Sequence, residues 1–177
     1  MAVFKAMQLR VIVYPNPILR KKPAPVSKFD STLAELTEAM FTAMEGERGV
    51  GLAAPQVGIL LRLLVIHYDE YDVPKTVLAN PEIIESEGME SMAEGCLSFP
   101  GIFAEIKRPS VVRVRAQNLA GETVELSASG VLARVVQHEM DHLEGRLFID
   151  LFSPAQKIRF SKDLRNLEKR FAELKEA

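Results

Sequence analysis

The stretch Val135 to Gly145, VVQHEMDHLEG, places two of the chain's three histidines and a glutamate within five residues of a segment that otherwise reads as apolar. On a helix each residue advances about 100° around the axis. Glu139 and His142 therefore both lie within that angle of His138, while Met140 points to the opposite side. Val131, Leu132, Val135, Val136, Met140 and Leu143 give the same helix a broad apolar surface, so it is expected to be largely buried. Histidine pairs at this spacing also occur in ordinary cores, satisfied by local acceptors. Burying two imidazoles and a carboxylate without partners costs several kcal/mol, however. A divalent cation supplies the missing compensation, and HExxH is a metal-ligand spacing.

The surroundings set the bounds. With 177 residues, 47% of them hydrophobic, the chain can build one sizeable core and is short for two, so a single domain over 1–177 is expected. Lys and Arg number 22 against 24 Asp and Glu, a near balance that gives no field drawing the chain to DNA or to an anionic membrane. The start MAVFKAMQLRVIVYPNP has no sustained apolar region and no later run is long enough for a bilayer, which reads as a cytoplasmic protein. The lone cysteine, Cys96, has no partner for an internal disulfide and is left for packing, chemistry or metal.

Proline and glycine punctuate the rest. RVIVY, residues 10–14, reads as a short strand stopped by PNP. A first helix follows, with Thr32 and Glu35 at capping-box spacing and Leu33, Leu36, Met40 and Met44 on one face. From Leu61 to Leu126 the pattern is of strands: LRLLVIHY, TVLAN, EIIES, VVRVRAQN and ETVELS. In VVRVRAQN, Val112, Val114 and Ala116 alternate with Arg113 and Arg115, as in a sheet with one wet face. The last helix starts at SPAQ, with Ser153 as cap, Pro154 in the first turn and Gln156 closing a capping box. Phe160, Leu164, Leu167, Phe171 and Leu174 form its stripe. This order predicts an α+β fold: mostly antiparallel sheets around the central metal-binding helix, with an N-terminal and a C-terminal helix.

A catalytic metal of this kind takes three protein ligands and keeps a position for water. The continuation HLEGRLF departs from the metzincin pattern, because Phe148 stands where that pattern needs a histidine. Glu168 or Glu173 would complete a thermolysin-like set, but both suit the solvated face of an amphipathic helix. His67 ends an apolar strand. Cys96, in EGCLSFPG, remains: many lone cysteines are small buried hydrophobes, yet Gly95 admits a close backbone and Pro100 with Gly101 fixes the exit. The amide of Leu97 would then lie near the open side of the metal. In GVGLAAPQVG, residues 49–58, Gln56 is the only polar side chain, either in a plain turn or converging on that site.

Taken together, GVGLAAPQ, EGCLSFP and QHEMDHLEG resemble the three signature motifs of peptide deformylases, in the same order. The resemblance runs from YPNPILRKKPAPV to the helix after FIDLFSP. It implies sheets wrapped around a metal-binding helix, and removal of the formyl group from the N-terminal methionine of nascent chains in bacteria or organelles derived from them. It also implies Cys96, His138 and His142 as metal ligands, Glu139 as general base and acid, and Gln56 with the Leu97 amide as donors to the formyl oxygen. By the same resemblance Val50, Met92, Val131 and Val135 line the methionine pocket, and the backbones around Gly51 and Gly95 bind the peptide as a strand. The implied ion is ferrous iron, with zinc, nickel or cobalt able to substitute. The basic C-terminal helix matches a tail that in some members makes a transient ribosome contact. The competing expectation is an HExxH metallopeptidase acting on peptide bonds.

Overall fold

The computed structural model describes residues 8–176. The opening MAVFKAM of the segment read for a leader, and the Lys175 side chain of the basic helix, lie outside the described residues. Strands β1 (Gly51–Ala53), β2 (Leu63–Tyr68), β3 (Val73–Glu87), β6 (Val111–Gln117) and β7 (Thr123–Ser129) form one antiparallel sheet in the order β1-β2-β3-β6-β7. Strands β4 (Glu90–Gly95) and β5 (Phe103–Arg108) pair as a separate antiparallel ribbon. Helix α1 (Ser31–Gly46) packs on β1 and β2, and α2 (Gly130–Leu143) packs against β1, β2, β6 and β7. The α+β expectation is met, with the histidine-bearing helix at the centre.

Side-chain alternation explains the layering. In β2, Leu63 and Val65 join a core with Leu33, Leu36, Met40 and Met44 of α1, while Leu64 and Ile66 join one with Ala133, Val136 and Leu143 of α2. The strand is thus apolar on both faces because a helix covers each. Val112, Val114 and Ala116 are buried while Arg113 and Arg115 are not, as their alternation predicts. A third core gathers Phe99, Ile102, Ile106, Phe148, Phe152 and Phe160 beneath the β4–β5 ribbon. No described helix is long and apolar enough to cross a membrane.

Several local expectations are corrected. Asp30, not Thr32, caps α1: its carboxylate accepts from the amides of Thr32 at 3.0 Å and Leu33 at 3.2 Å, and a negative charge suits that helix end. Residues 10–14 form no strand; their extended backbone donates instead from Ile12 to the Gln56 carbonyl (2.7 Å) and from Tyr14 to the Ser98 carbonyl (2.9 Å), tying two motif loops together. TVLAN and EIIES fuse into β3, because register shifts opposite β6 absorb Asn80 and Pro81. The last helix breaks at Phe160 into α3 (Pro154–Arg159) and α4 (Ser161–Glu176). The Ser153–Gln156 capping box is present, but the buried stripe ends near Leu167 and Leu174 is 79% exposed.

Helix α2 ends in a Schellman motif, with the Arg146 amide donating to the Asp141 carbonyl at 2.9 Å and the Gly145 amide to the His142 carbonyl at 3.2 Å. Gly145 has φ 67°, and a Cβ there would lie 2.5 Å from the backbone oxygen of Arg20. Gly145→Ala is therefore expected to destabilise the fold by about 1–3 kcal/mol from backbone strain, with the clash adding to it. Urea unfolding of the two proteins measures the difference; equal midpoints would contradict the packing described.

Candidate metal centre and its cavity

Three elements meet where α2 is most polar. Helix α2 carries His138, Glu139 and His142, the turn after β4 carries Cys96, and the short turn after β1 carries Gln56. The ligand atoms of Cys96, His138 and His142 all lie within 4.8 Å of one another. Cys96 Sγ is 3.4 Å from His142 Nε2. His138 Nδ1 is engaged by Glu94 Oε2 at 3.0 Å, which leaves Nε2 for the centre. His142 Nδ1 and Glu139 Oε2 are buried without a hydrogen-bond partner. A sulfur and two imidazoles converging beside a carboxylate oxygen without a partner fit a divalent transition metal in donor type and number.

The electrostatics follow from burial. Desolvation pushes the Glu139 carboxyl up to about 7, against the lowering influence of His138. Burial likewise disfavours charge on both imidazoles. For His138 the negative groups at Cys96 and Glu94 reverse this and raise it, whereas for His142 the positive charges of His138 and Arg108 lower it further. Burial alone would raise Glu94 as well, but hydrogen bonds from His138 and Arg108 hold it at about 2.

The centre opens into a cavity of ≈ 650 Å³. Val50, Met92, Val131 and Val135 line it together with Phe99, Ile102 and Phe103, and Gly51, Gly95, Gln56 and Leu97 border it with Cys96, His138 and Glu139. His142 sits behind, 1% exposed. The residues that the family resemblance pointed to are therefore brought to one place, whereas Glu168, Glu173 and His67 are not. Gly51 is required by the close approach of β1 to α2, since a Cβ there would lie 2.5 Å from Glu139 Oε1 and 2.7 Å from Val135 Cγ1. The Gln56 amide is oriented by its contacts: Oε1 accepts from the Ala53 amide at 2.8 Å, so Nε2 faces Ser98 Oγ (3.3 Å) and Cys96 Sγ (3.6 Å).

The rival ligands are occupied elsewhere. Glu168 accepts from Tyr14 Oη at 2.8 Å, Glu173 lies 3.9 Å from Lys169, and His67 contacts Glu45 and Asp69, each at 2.9 Å.

What sequence reasoning missed is the ionic support beneath His138. Arg108 Nε and Nη2 donate to the two Glu94 oxygens at 2.6 and 2.9 Å, Arg108 Nη1 donates to Asp141 at 2.7 Å, and Arg134 Nη1 donates to Glu94 Oε1 at 2.9 Å. A signal was available. Arg134, His138 and Asp141 stand at i, i+4 and i+7, so one face of an apolar helix carries a row of charge.

Similar sequences and the same fold recur in known proteins. The family model described as polypeptide deformylase matches residues 8–158. A peptide deformylase from Thermotoga neapolitana is 48% identical over 161 residues, spanning 90% of this chain and 96% of its own. The crystal structure of a plant peptide deformylase superposes with a TM-score of 0.92 at 40% identity, covering 96% of this chain and 94% of that one. That of a Thermotoga maritima peptide deformylase gives 0.79 at 46% identity, covering 84% and 99%.

Proposed function

This chain belongs to the polypeptide deformylase family, and from that premise we propose how its residues share the work. The protein is a metal-dependent hydrolase that removes an N-formyl group. The observation that carries the reading is the Cys96/His138/His142 set, its ligand atoms within 4.8 Å of one another, beside the unpartnered Glu139 Oε2 on the floor of an apolar cavity.

Cys96 Sγ and the two histidines would hold the ion. When bound, a divalent cation lowers the pKa of a water and polarises the formyl carbonyl. Glu139 takes the proton of the attacking water at its free carboxylate oxygen and delivers it to the leaving amine nitrogen. Gln56 Nε2 and the Leu97 amide donate to the formyl oxygen as negative charge develops there. Formate and a free N-terminus result. The backbones at Gly51 and Gly95 receive the peptide as an added strand, a role that the absence of side chains at both positions supports.

We assign N-formylmethionyl nascent peptides as substrate, in the cytoplasm, with the whole of 1–177 as one catalytic domain. An unbranched thioether suits the wall of Val50, Met92, Val131 and Val135. Ferrous iron is the proposed working ion; zinc, nickel or cobalt suit the same three donors. The basic face of α4 is the proposed site of a transient ribosome contact, tested by cosedimentation that weakens with salt and is lost on deleting α4. The activity itself is tested by formate release from formyl-methionyl peptides, with an unformylated peptide as control. Formate without peptide-bond cleavage is expected; cleavage of the control would favour a metallopeptidase.

Val135→Asp places a carboxylate in the apolar wall, where burial of charge is costly. The kcat/KM for formyl-methionyl peptides is expected to fall by roughly 100-fold or more, equivalent to about 3 kcal/mol of lost transition-state binding. An unchanged value would place the pocket elsewhere.

A further inference from the structure

Glu94 is held unusually completely. Its Oε1 accepts from Arg108 Nε at 2.6 Å and Arg134 Nη1 at 2.9 Å, and its Oε2 receives Arg108 Nη2 at 2.9 Å and His138 Nδ1 at 3.0 Å. A carboxylate has about four acceptor sites, so all are used. Two of the four contacts come from α2, at positions 134 and 138, one turn apart on the same face. Arg134 does more than touch Glu94. Its Nη1 also donates to the Ile106 carbonyl of β5 at 2.7 Å, and its Nη2 to the Glu90 carbonyl of β4 at 2.8 Å. The guanidinium thus grips β4 near both ends and β5 between them, and it is 6% exposed at the wall of the cavity.

That grip spans the two parts of the centre. His138 and His142 are carried by α2, whereas Cys96 lies two residues beyond Glu94, in the turn just past β4. The ribbon that leads to Cys96 is not hydrogen-bonded into the main sheet and joins it through the short turns at 88–89 and 109–110, so side-chain contacts to α2 are what tie its face to the helix. We infer that Arg134 is a positioning residue, locking Cys96, in the turn after β4, in register with the helix-borne ligands His138 and His142 by clamping Glu94, Glu90 and Ile106 to α2. This rests on the ligand assignment proposed above. Because the same guanidinium borders the substrate cavity, it couples the peptide-binding edge of β4 to the metal centre. Arginine suits the role, since its rigid planar fork reaches several acceptors at once; lysine offers a point charge that satisfies Glu94 but not all three contacts.

The experiment loads wild type, Arg134→Leu, Arg134→Lys and Val136→Ala with Co2+ and follows transfer of the ion to a competing chelator, alongside thermal midpoints and KM for a formyl-methionyl peptide. Val136 is fully buried in the α2 core and belongs to none of these contacts, so its variant reports general loosening of the helix. Arg134→Leu is expected to weaken cobalt retention by about 10- to 100-fold, as loss of an outer-shell partner does, and to raise KM. Arg134→Lys should recover part of both. Val136→Ala should lower the thermal midpoint while keeping cobalt retention within a few-fold of wild type. Equal retention in Arg134→Leu and wild type would overturn the inference, as would equal losses in Arg134→Leu and Val136→Ala at matched thermal midpoints. Absence of cobalt binding in the wild type would instead sink the ligand assignment beneath it.

Discussion

Glu139→Gln is expected to bind its metal as the wild type does and to lose nearly all turnover. The substitution leaves Cys96 Sγ and both imidazoles in place and keeps the shape of a side chain that lies close over Gly51. It also replaces a carboxyl that burial already pushes up to about 7, so folding loses no well-paired charge. What disappears is the proton carrier. Proton transfer by a positioned side chain contributes about two to four powers of ten, and kcat should fall by at least that much because the same group serves the attacking water and the leaving amine. Metal content and kcat, measured on one preparation, should therefore separate. Wild-type turnover in the variant would show that Glu139 is not the base.

Cys96→Ser is expected to lose both together. Serine exchanges a soft anionic ligand for a hydroxyl that is a poor donor to zinc or ferrous iron. The neighbours do not compensate: the Gln56 amide that faces Sγ at 3.6 Å is a donor, and His142 Nε2 at 3.4 Å is already one of the remaining ligands. Metal per chain and deformylation, measured under argon with each ion, should decline in parallel by more than about tenfold, a larger loss than removing an outer-shell partner causes at its weakest. Full occupancy with wild-type activity would reopen the search for a third ligand, although Glu168, Glu173 and His67 are all engaged away from the centre.

The central helix was legible because its apolar positions and its HExxH row obey the same 3.6-residue period. The alternation in β6 was legible for the corresponding reason with period two. The β4–β5 ribbon was not. Its core-facing positions end in Glu94 and Arg108, which are buried as an ion pair at 2.6 Å, so the strands fail the apolar alternation by which strands are read. Residues 10–14 failed in the other direction: their apolar run is real, but the amides of Ile12 and Tyr14 bond to the Gln56 and Ser98 carbonyls rather than to a neighbouring strand. The Asn80–Pro81 pair looked like a break and is a bulge within β3. Among the site residues, those with distinctive chemistry stood out from the motifs, whereas Arg134 and Asp141 belong to no metal-ligand spacing and only the fold shows them buried beside the centre.

The claim on which the mechanism stands is that Cys96 and the two histidines of α2 hold one ion beside Glu139. Optical titration of the metal-free protein with Co2+ tests this most directly, because a thiolate bound to cobalt gives a sulfur-to-metal charge-transfer band that imidazole and carboxylate ligands do not. The band is expected to rise to saturation at one ion per chain in wild type and Glu139→Gln, and to be missing in Cys96→Ser. A wild-type protein that binds cobalt without the band, or a Cys96→Ser variant that keeps it, would contradict the account.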